Sequence, residues 1–239
     1  MNRLAIFVEG YTEVRFVMKL VEEIAGQDRV LSVLIEHREI RGGGKDSRAR
    51  RTMALIEAAR PHAGQRHFIL IMDCGGDQQV KTRIIEEHEN LTKKGYARIV
   101  GLRDVRPTFS YAEIPRLEMG LRRYIKMSLV PVDFILAVME IEAWFLAETT
   151  HYTRIDPAIT VAAIKSILGF DPENDDLQQR PDPAEDLHNC YAIAGKSYRK
   201  GRAEDTVNAL DFAEIYCNLI DKINNLRRLT NIISDFIAQ

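Results

Sequence analysis

The chain has 239 residues, of which 46% are hydrophobic and 28% are charged, so it can bury a sizeable core. A formal net charge of −2 gives no overall attraction to nucleic acid, and any contact with a polyanion has to come from local basic clusters or from bound metal. The three cysteines, Cys74, Cys190 and Cys217, are too far apart for a cysteine metal motif, and they favour a reducing, cytoplasmic compartment. No apolar window reaches the length of a membrane span, so no membrane partner is expected.

Short apolar runs alternate with amphipathic segments over the first 150 residues, which is typical of strands joined by crossover helices. Five strands are expected, over 4–8, 30–35, 67–72, 97–102 and 132–139. Helices are expected between them, over 12–24, 48–60 and 79–93. The run 67–72 is the most continuous apolar one, which indicates a central parallel strand. After the fifth strand a short helix carries Trp144, whose large ring is expected in the core.

From about residue 151 the sequence changes to loops rich in Pro, Asp and Asn, with helical patterns between them. These patterns lie near 160–168, 183–194, 204–219 and 221–237. We therefore expect an α/β fold with a Rossmann-like, mostly parallel sheet flanked by helices and a helical C-terminal part. The corresponding domains are 1–150 and 151–239.

Acidic side chains follow the predicted strands, where the ligand crevice of an open parallel sheet lies. They are Glu9 and Glu13 after the first strand, Asp73 and Asp77 after the third, Asp104 after the fourth, and Glu140 and Glu142 after the fifth. Carboxylates brought together raise one another's pKa unless a cation neutralises them. All-oxygen ligands suit Mg²⁺ or Mn²⁺, whereas zinc would need His or Cys at defined spacing. The alternative is that these acids only stabilise helix N-termini.

Three motifs carry a resemblance to a known family. FVEGYTE after the N-terminal strand, with DCGGD after a later apolar strand, resembles the TOPRIM fold of topoisomerases, primases and overcoming-lysogenization-defect nucleases. The later motif MEIEAWFLAE is similar to one in a group of bacterial TOPRIM-like proteins. The resemblance covers roughly residues 3 to 148.

The resemblance implies a site and an activity. Glu9 would be a metal ligand or general acid/base, Glu13 a second ligand and Asp73 a third. The family separates its two aspartates by one residue and this chain by three, so either Asp77 reaches the metal or Glu140, Glu142 or Asp104 replaces it. The implied activity is hydrolysis of phosphodiesters, in DNA rather than RNA, with Mg²⁺ or Mn²⁺ as cofactor. The implied setting is a bacterial anti-phage defence system with an ATPase partner.

Two basic segments could contact a phosphate backbone. RGGGKDSRARR contains Lys45 and Arg48, and GKSYRKGR contains Lys196 and Lys200. Neither segment is a P-loop, because the first glycine of that motif is replaced by Glu39 in one case and by Cys190 in the other. The alternative for each segment is a solvated charged turn.

Two other functions stay open at this point. The chain could be a non-catalytic regulatory or scaffold partner of an ATPase, which the altered aspartate spacing favours. It could also hydrolyse nucleotides or other small phosphoesters. The sequence leaves open whether the chain forms a homodimer.

Overall fold

The computed structural model describes residues 1–29, 32–41, 52–59, 61, 64–76 and 79–239. The described residues divide into two compact units. The first unit comprises Met1–Arg103, Glu118–Ile135 and Ile232–Gln239, and the second comprises Asp104–Leu117 and Leu136–Asn231. Both units are built from separated stretches of chain, and the division into domains 1–150 and 151–239 stays a prediction.

Six strands of the described chain form one sheet in the order β3-β2-β4-β1-β5-β6. The strands are β1 Asn2–Val8, β2 Val33–Arg41, β3 Thr52–Ala58, β4 His67–Asp73, β5 Arg98–Asp104 and β6 Val132–Ala137. β1 pairs in parallel with β4 and β5, β2 pairs in parallel with β4, and β3 is antiparallel to β2. The predicted α/β class with a mostly parallel sheet is confirmed.

Helices flank the sheet and form the C-terminal region. They are α1 Tyr11–Arg29, α2 Gln79–Lys93, α3 Ile114–Arg122, α4 Glu142–Ala147, α5 His151–Ile155, α6 Val161–Leu168, α7 Pro183–Ala192, α8 Glu204–Ala209, α9 Phe212–Glu214, α10 Ile220–Lys222 and α11 Asn224–Ala238. Short 3₁₀ turns lie at Tyr111–Glu113, Leu177–Gln179 and Lys200–Arg202, and a π-helical turn lies at Ile215–Leu219. No helix in the described ranges combines the length and apolar composition needed to cross a bilayer.

Burial explains why β1 and β4 form the middle of the sheet. Leu4 to Val8 are all fully buried in β1, and Ile69 and Ile71 are fully buried in β4. A strand covered on both faces needs a continuous apolar sequence, which is why these two segments were recognisable. Later strands of the chain lie on both sides of β1, with β4 and β2 on one side and β5 and β6 on the other. Such a change of direction in strand order is a topological switch point, where ligands bind in open parallel sheets.

The predicted helix over 48–60 is wrong wherever that segment is described. Thr52–Ala58 is β3, an exposed edge strand that pairs with β2. Its Ala, Leu and Glu residues favour a helix in isolation. The open edge of β2 offers unpaired backbone groups, and pairing with them overrides that local preference. Residues 48–51 and 60 lie outside the described residues.

The second unit has an apolar core of its own around α4 and α5. Trp144 is 1% exposed, and Phe145 and Tyr152 are fully buried. α4 contacts α7, and α5 contacts α8. Trp144 is therefore a core residue, as its sequence context predicted.

Candidate functional site

Glu9 and Asp73 lie at the ends of adjacent parallel strands in the first unit. Val8, the last residue of β1, is paired in register with Asp73, the last residue of β4. Beyond the strands, the Cys74 N–H donates to Val8 O at 3.0 Å, and the Gly76 N–H donates to Glu9 O at 2.8 Å. The chain leaving β4 is thus hydrogen-bonded to the chain leaving β1, which holds these two acids at one edge of the sheet.

A third acid, Glu39, joins them and was not recognised from the sequence. It lies on β2 opposite Asp73 in the parallel register. The expected strand ended at residue 35, whereas β2 continues to Arg41. We call Glu9, Glu13, Glu39 and Asp73 the acidic edge. Residues 36–39 are all polar (Glu, His, Arg, Glu), so the apolar pattern provided no signal that would extend the strand.

Glu13 belongs to the acidic edge through the first turn of α1. One carboxylate oxygen, Oε2, accepts from the Gly10 N–H at 3.1 Å, and the Val14 N–H donates to Gly10 O at 3.1 Å. An acid that returns to an amide just before the helix stabilises the helix N-terminus. Glu13 is only 5% exposed and Glu9 6%. Both carboxylates are therefore mostly removed from solvent at the start of α1.

Asp73 is half-buried and held by the turn that follows it. The Gly75 N–H donates to Asp73 Oδ1 at 2.8 Å, and Gly75 has a φ of +73°, which glycine adopts at little cost. Burial raises the pKa of Asp73, the Gly75 amide and His37 lower it, and Glu39 raises it further. The pKa of Asp73 is raised overall, so the protein groups around it do not fully offset the cost of burying the ionised carboxylate.

His37 is a second residue of β2 that sequence inspection missed. It is 6% exposed, and its Nε2 has no hydrogen-bond partner within the described part of the chain. Burial lowers its pKa, although Asp73, Glu57 and Glu39 act in the opposite direction. His37 is therefore close enough to Asp73 and Glu39 for charge on these carboxylates to affect its pKa, while burial disfavours its charged form.

The side chains of the described residues do not form a ready-made metal cage. Outside the undescribed positions, which include Asp77, no group of three His, Cys, Asp or Glu residues is placed to hold a metal ion. The donor types at the acidic edge are nevertheless the carboxylate oxygens that Mg²⁺ and Mn²⁺ prefer. Mg²⁺ commonly takes one or two protein carboxylates and keeps several waters, so Glu9 and Asp73 fit it by chemistry.

The other predicted acids lie in the second unit, where they surround a lysine. Lys200 Nζ is 2.9 Å from Glu140 Oε1, 3.5 Å from Glu142 Oε2 and 3.7 Å from Asp104 Oδ2. We call these four residues the carboxylate–lysine cluster. The Lys200 ammonium, which the sequence suggested as a phosphate contact, is thus placed among carboxylates.

Backbone and hydroxyl donors complete the carboxylate–lysine cluster. The Ile141 N–H donates to Asp104 at 3.0 Å, the Ala184 N–H to Glu140 at 3.0 Å, and the Tyr198 hydroxyl to Glu142 at 2.6 Å. Burial raises the pKa of Glu142, and Glu140 adds to the shift, while Lys200 and Tyr198 oppose it. Burial lowers the pKa of Lys200, but the three carboxylates outweigh this and raise it overall. Lys200 therefore balances the charge of one of the three carboxylates, and backbone and hydroxyl donors stabilise them further.

One further residue that was predicted to contact phosphate, Lys196, lies among the described residues. Lys196 is exposed in the second unit, with its ammonium 3.9 Å from Asp156. Lys45, Arg48 and Asp77 lie outside the described residues, so their predicted roles stay predictions.

His151, fully buried in the second unit, gives a prediction about pH. Its Nδ1 contacts Glu148 O, its Nε2 has no hydrogen-bond partner in the described chain, and burial lowers its pKa from 6.5 to about 4. Between pH 6.5 and 4 the unfolded chain binds a proton that the folded chain does not. Stability is therefore lost as the pH falls through this window, by roughly 3 kcal/mol in total.

The measurement is urea unfolding from pH 7.5 to 4, followed by the fluorescence of Trp144, the single tryptophan of the chain. His151→Phe keeps a ring beside Tyr152, whose centroid is 4.1 Å away, but cannot titrate. We expect the pH dependence of the variant to be shallower than that of the wild type in this window. Equal losses of stability in the two proteins would contradict the prediction.

Comparisons of the chain with protein-family models, with curated proteins and with solved structures gave no match.

Proposed function

We propose that the chain hydrolyses phosphodiesters with Mg²⁺ or Mn²⁺ at the acidic edge. The observation that carries this proposal is the position of Glu9, which follows β1, and Asp73, which ends the adjacent parallel strand β4 at the carboxyl edge of the sheet. Glu13 and Glu39 add two further carboxylates to the same edge. Burial and the nearby Glu39 raise the pKa of Asp73, and a bound cation would favour its ionised form.

In this proposal Glu9 and Asp73 hold the ion, with Glu13 and Asp77 as further ligands. A bound divalent ion supplies Lewis acidity toward the phosphate and an activated water. The chain's own part is orientation: the Gly75 amide fixes one oxygen of Asp73, and the Gly10 amide fixes one oxygen of Glu13. Carboxylates held in this way lose little conformational freedom when a ligand binds.

The substrate and setting in this proposal follow from the TOPRIM resemblance. We take DNA as the preferred polymer over RNA, an ATPase as the partner protein and anti-phage defence in the cytoplasm as the context. The net charge of −2 argues that such binding depends on local cations and on the metal rather than on the whole surface.

The test is incubation of the purified protein with plasmid DNA, single-stranded DNA and RNA in Mg²⁺, Mn²⁺ or EDTA. We expect DNA cleavage with either ion and none in EDTA. Intact polymers in both ions, at equimolar protein and substrate, would contradict the proposal. Turnover of bis(p-nitrophenyl) phosphate without polymer cleavage would instead assign hydrolysis of small phosphoesters.

A second candidate is a non-catalytic module that regulates an ATPase partner. It is favoured by the internal hydrogen bonds of Glu13 and Asp73, which give these acids structural roles at a helix N-terminus and a turn. It is also favoured by the absence, among the described residues, of any three His, Cys, Asp or Glu side chains placed to hold a metal ion. Calorimetric titration with Mn²⁺ separates the two candidates. If the chain is a non-catalytic module, the wild-type protein should bind no Mn²⁺, whereas the enzyme should bind Mn²⁺ and lose that binding in Asp73→Asn.

A further inference from the structure

A polar cleft of about 750 Å³ lies within the second unit. Its lining residues do not include the three carboxylates of the carboxylate–lysine cluster. Three cations line it, each from a different element: Arg154 from α5, Lys196 from the turn after α7, and Arg202 from the 3₁₀ turn Lys200–Arg202. Asp205 is the single carboxylate in the lining, so the cleft carries a formal charge of +2 in a chain whose net charge is −2. Two of these cations also have a carboxylate outside the lining, Asp211 beside Arg154 and Asp156 near Lys196.

The backbone fixes the position of these cations. The Lys196 N–H donates to Tyr191 O at 3.0 Å and the Gly195 N–H to Ala192 O at 3.0 Å, which closes α7 with Gly195 at a φ of +68°. This hydrogen-bond pattern is a Schellman-type helix end. The Arg202 N–H donates to Arg199 O at 2.8 Å in the next turn. Lys196 and Arg202 are therefore carried on ordered turns.

The three cations differ in the hydrogen bonds and ion pairs that they form with other residues of the protein. Arg154 donates to Ala209 O at 3.0 Å and to Asp211 Oδ2 at 2.5 Å. Lys196 has only a distant carboxylate, Asp156, at 3.9 Å. The Arg202 guanidinium forms no ion pair with any residue of the described chain. Arg202 and Lys196 thus retain donors that can be directed at a ligand.

We propose that this cleft binds the phosphate groups of a phosphate ester that carries at least two negative charges. A guanidinium and an ammonium on separate turns are the donors that phosphate oxygens favour. The volume lies in the range of small-ligand sites, which suits a nucleoside diphosphate. Tyr191 is only 2% exposed, so the cleft presents little aromatic surface for a base, and recognition rests on the phosphates.

This binding site does not depend on hydrolysis at the acidic edge. The same chemistry could be presented by a free nucleotide or by the backbone of a nucleic acid. The experiment therefore uses three probes, namely inorganic pyrophosphate, ADP and a single-stranded oligothymidylate of twelve residues. Binding is measured by calorimetry in EDTA, which removes any contribution from divalent metal and keeps this result separate from that of the cleavage assay.

We expect binding that weakens as the salt concentration rises. Arg202→Ala and Lys196→Ala should each lower the affinity roughly tenfold, the loss of one charge-assisted contact. Arg199→Ala is the matched control, because Arg199 is an exposed arginine of the same segment that does not line the cleft. All three side chains are exposed, so the variants should keep the wild-type unfolding midpoint.

The probes also identify the source of the phosphate. Binding of pyrophosphate and ADP assigns a small phosphate ester, and binding of the oligonucleotide alone assigns a nucleic acid backbone. Failure of all three probes to bind would overturn the proposal. An effect of Arg199→Ala as large as that of Arg202→Ala would also overturn it, because the attraction would then be a general effect of charge.

Discussion

Glu9→Gln is expected to lower Mn²⁺-dependent phosphodiester cleavage at least about 100-fold, the scale associated with losing a charge aimed at the reacting centre. The change removes one negative charge from the acidic edge and keeps the shape of the side chain. Glu9 is 6% exposed and follows β1 directly, so a neutral amide there should leave the sheet intact. The readout is the initial rate of DNA cleavage at saturating Mn²⁺.

The matched control for this prediction is Glu22→Gln. Glu22 lies on the same helix, α1, but is exposed and far along it from the acidic edge. Its variant should cleave at the wild-type rate. A Glu9→Gln protein that unfolds at the wild-type urea concentration and cleaves as fast as the Glu22→Gln protein would contradict the role given to Glu9.

Lys200→Met is expected to lower the free energy of unfolding by roughly 2–4 kcal/mol. The substitution keeps a long apolar side chain but removes the one cation of the carboxylate–lysine cluster. Glu142 is fully buried and Glu140 is 7% exposed, so both would lose a charge partner where water cannot replace it. The side chain of Lys200 is 47% exposed, which keeps the expected loss below that of a fully buried pair.

Urea unfolding followed by Trp144 fluorescence measures this loss, because Trp144 lies in the core of the same unit. Lys196→Met is the control, since Lys196 is exposed and has only a carboxylate 3.9 Å away. Adding Glu142→Gln to Lys200→Met should recover part of the stability by removing a buried charge. If the double variant is no more stable than Lys200→Met alone, the loss of stability in Lys200→Met does not come from repulsion between the carboxylates of the cluster.

The parts of the fold that the sequence predicted best are those whose local pattern and tertiary role agree. The predicted helix over 79–93 coincides with α2, and the apolar runs at 4–8 and 67–72 lie within β1 and β4. In these segments the spacing of apolar residues reflects burial directly. The position of Glu9 and Asp73 at the ends of two strands followed from the same patterns, whereas the pairing of those strands with each other did not.

Residues whose environment depends on distant parts of the chain could not be placed in this way. β3 was mistaken for a helix, because its pairing with β2 outweighs the helical preference of its side chains. Glu39 was missed, because the extension of β2 depends on β3 and β4 at its two edges. Lys200 lies about 60 residues beyond Glu140 in sequence, and nothing local to either residue indicates that they pair.

Binding of a divalent cation at the acidic edge is the step on which the proposed hydrolysis depends. The most direct measurement is anomalous diffraction from crystals of the full chain soaked in Mn²⁺. We expect an anomalous peak within coordination distance of the carboxylates of Glu9 and Asp73, and loss of that peak in Asp73→Asn crystals. A soaked crystal with no peak at the acidic edge, or with a peak only beside Asp104, Glu140 and Glu142, would contradict it.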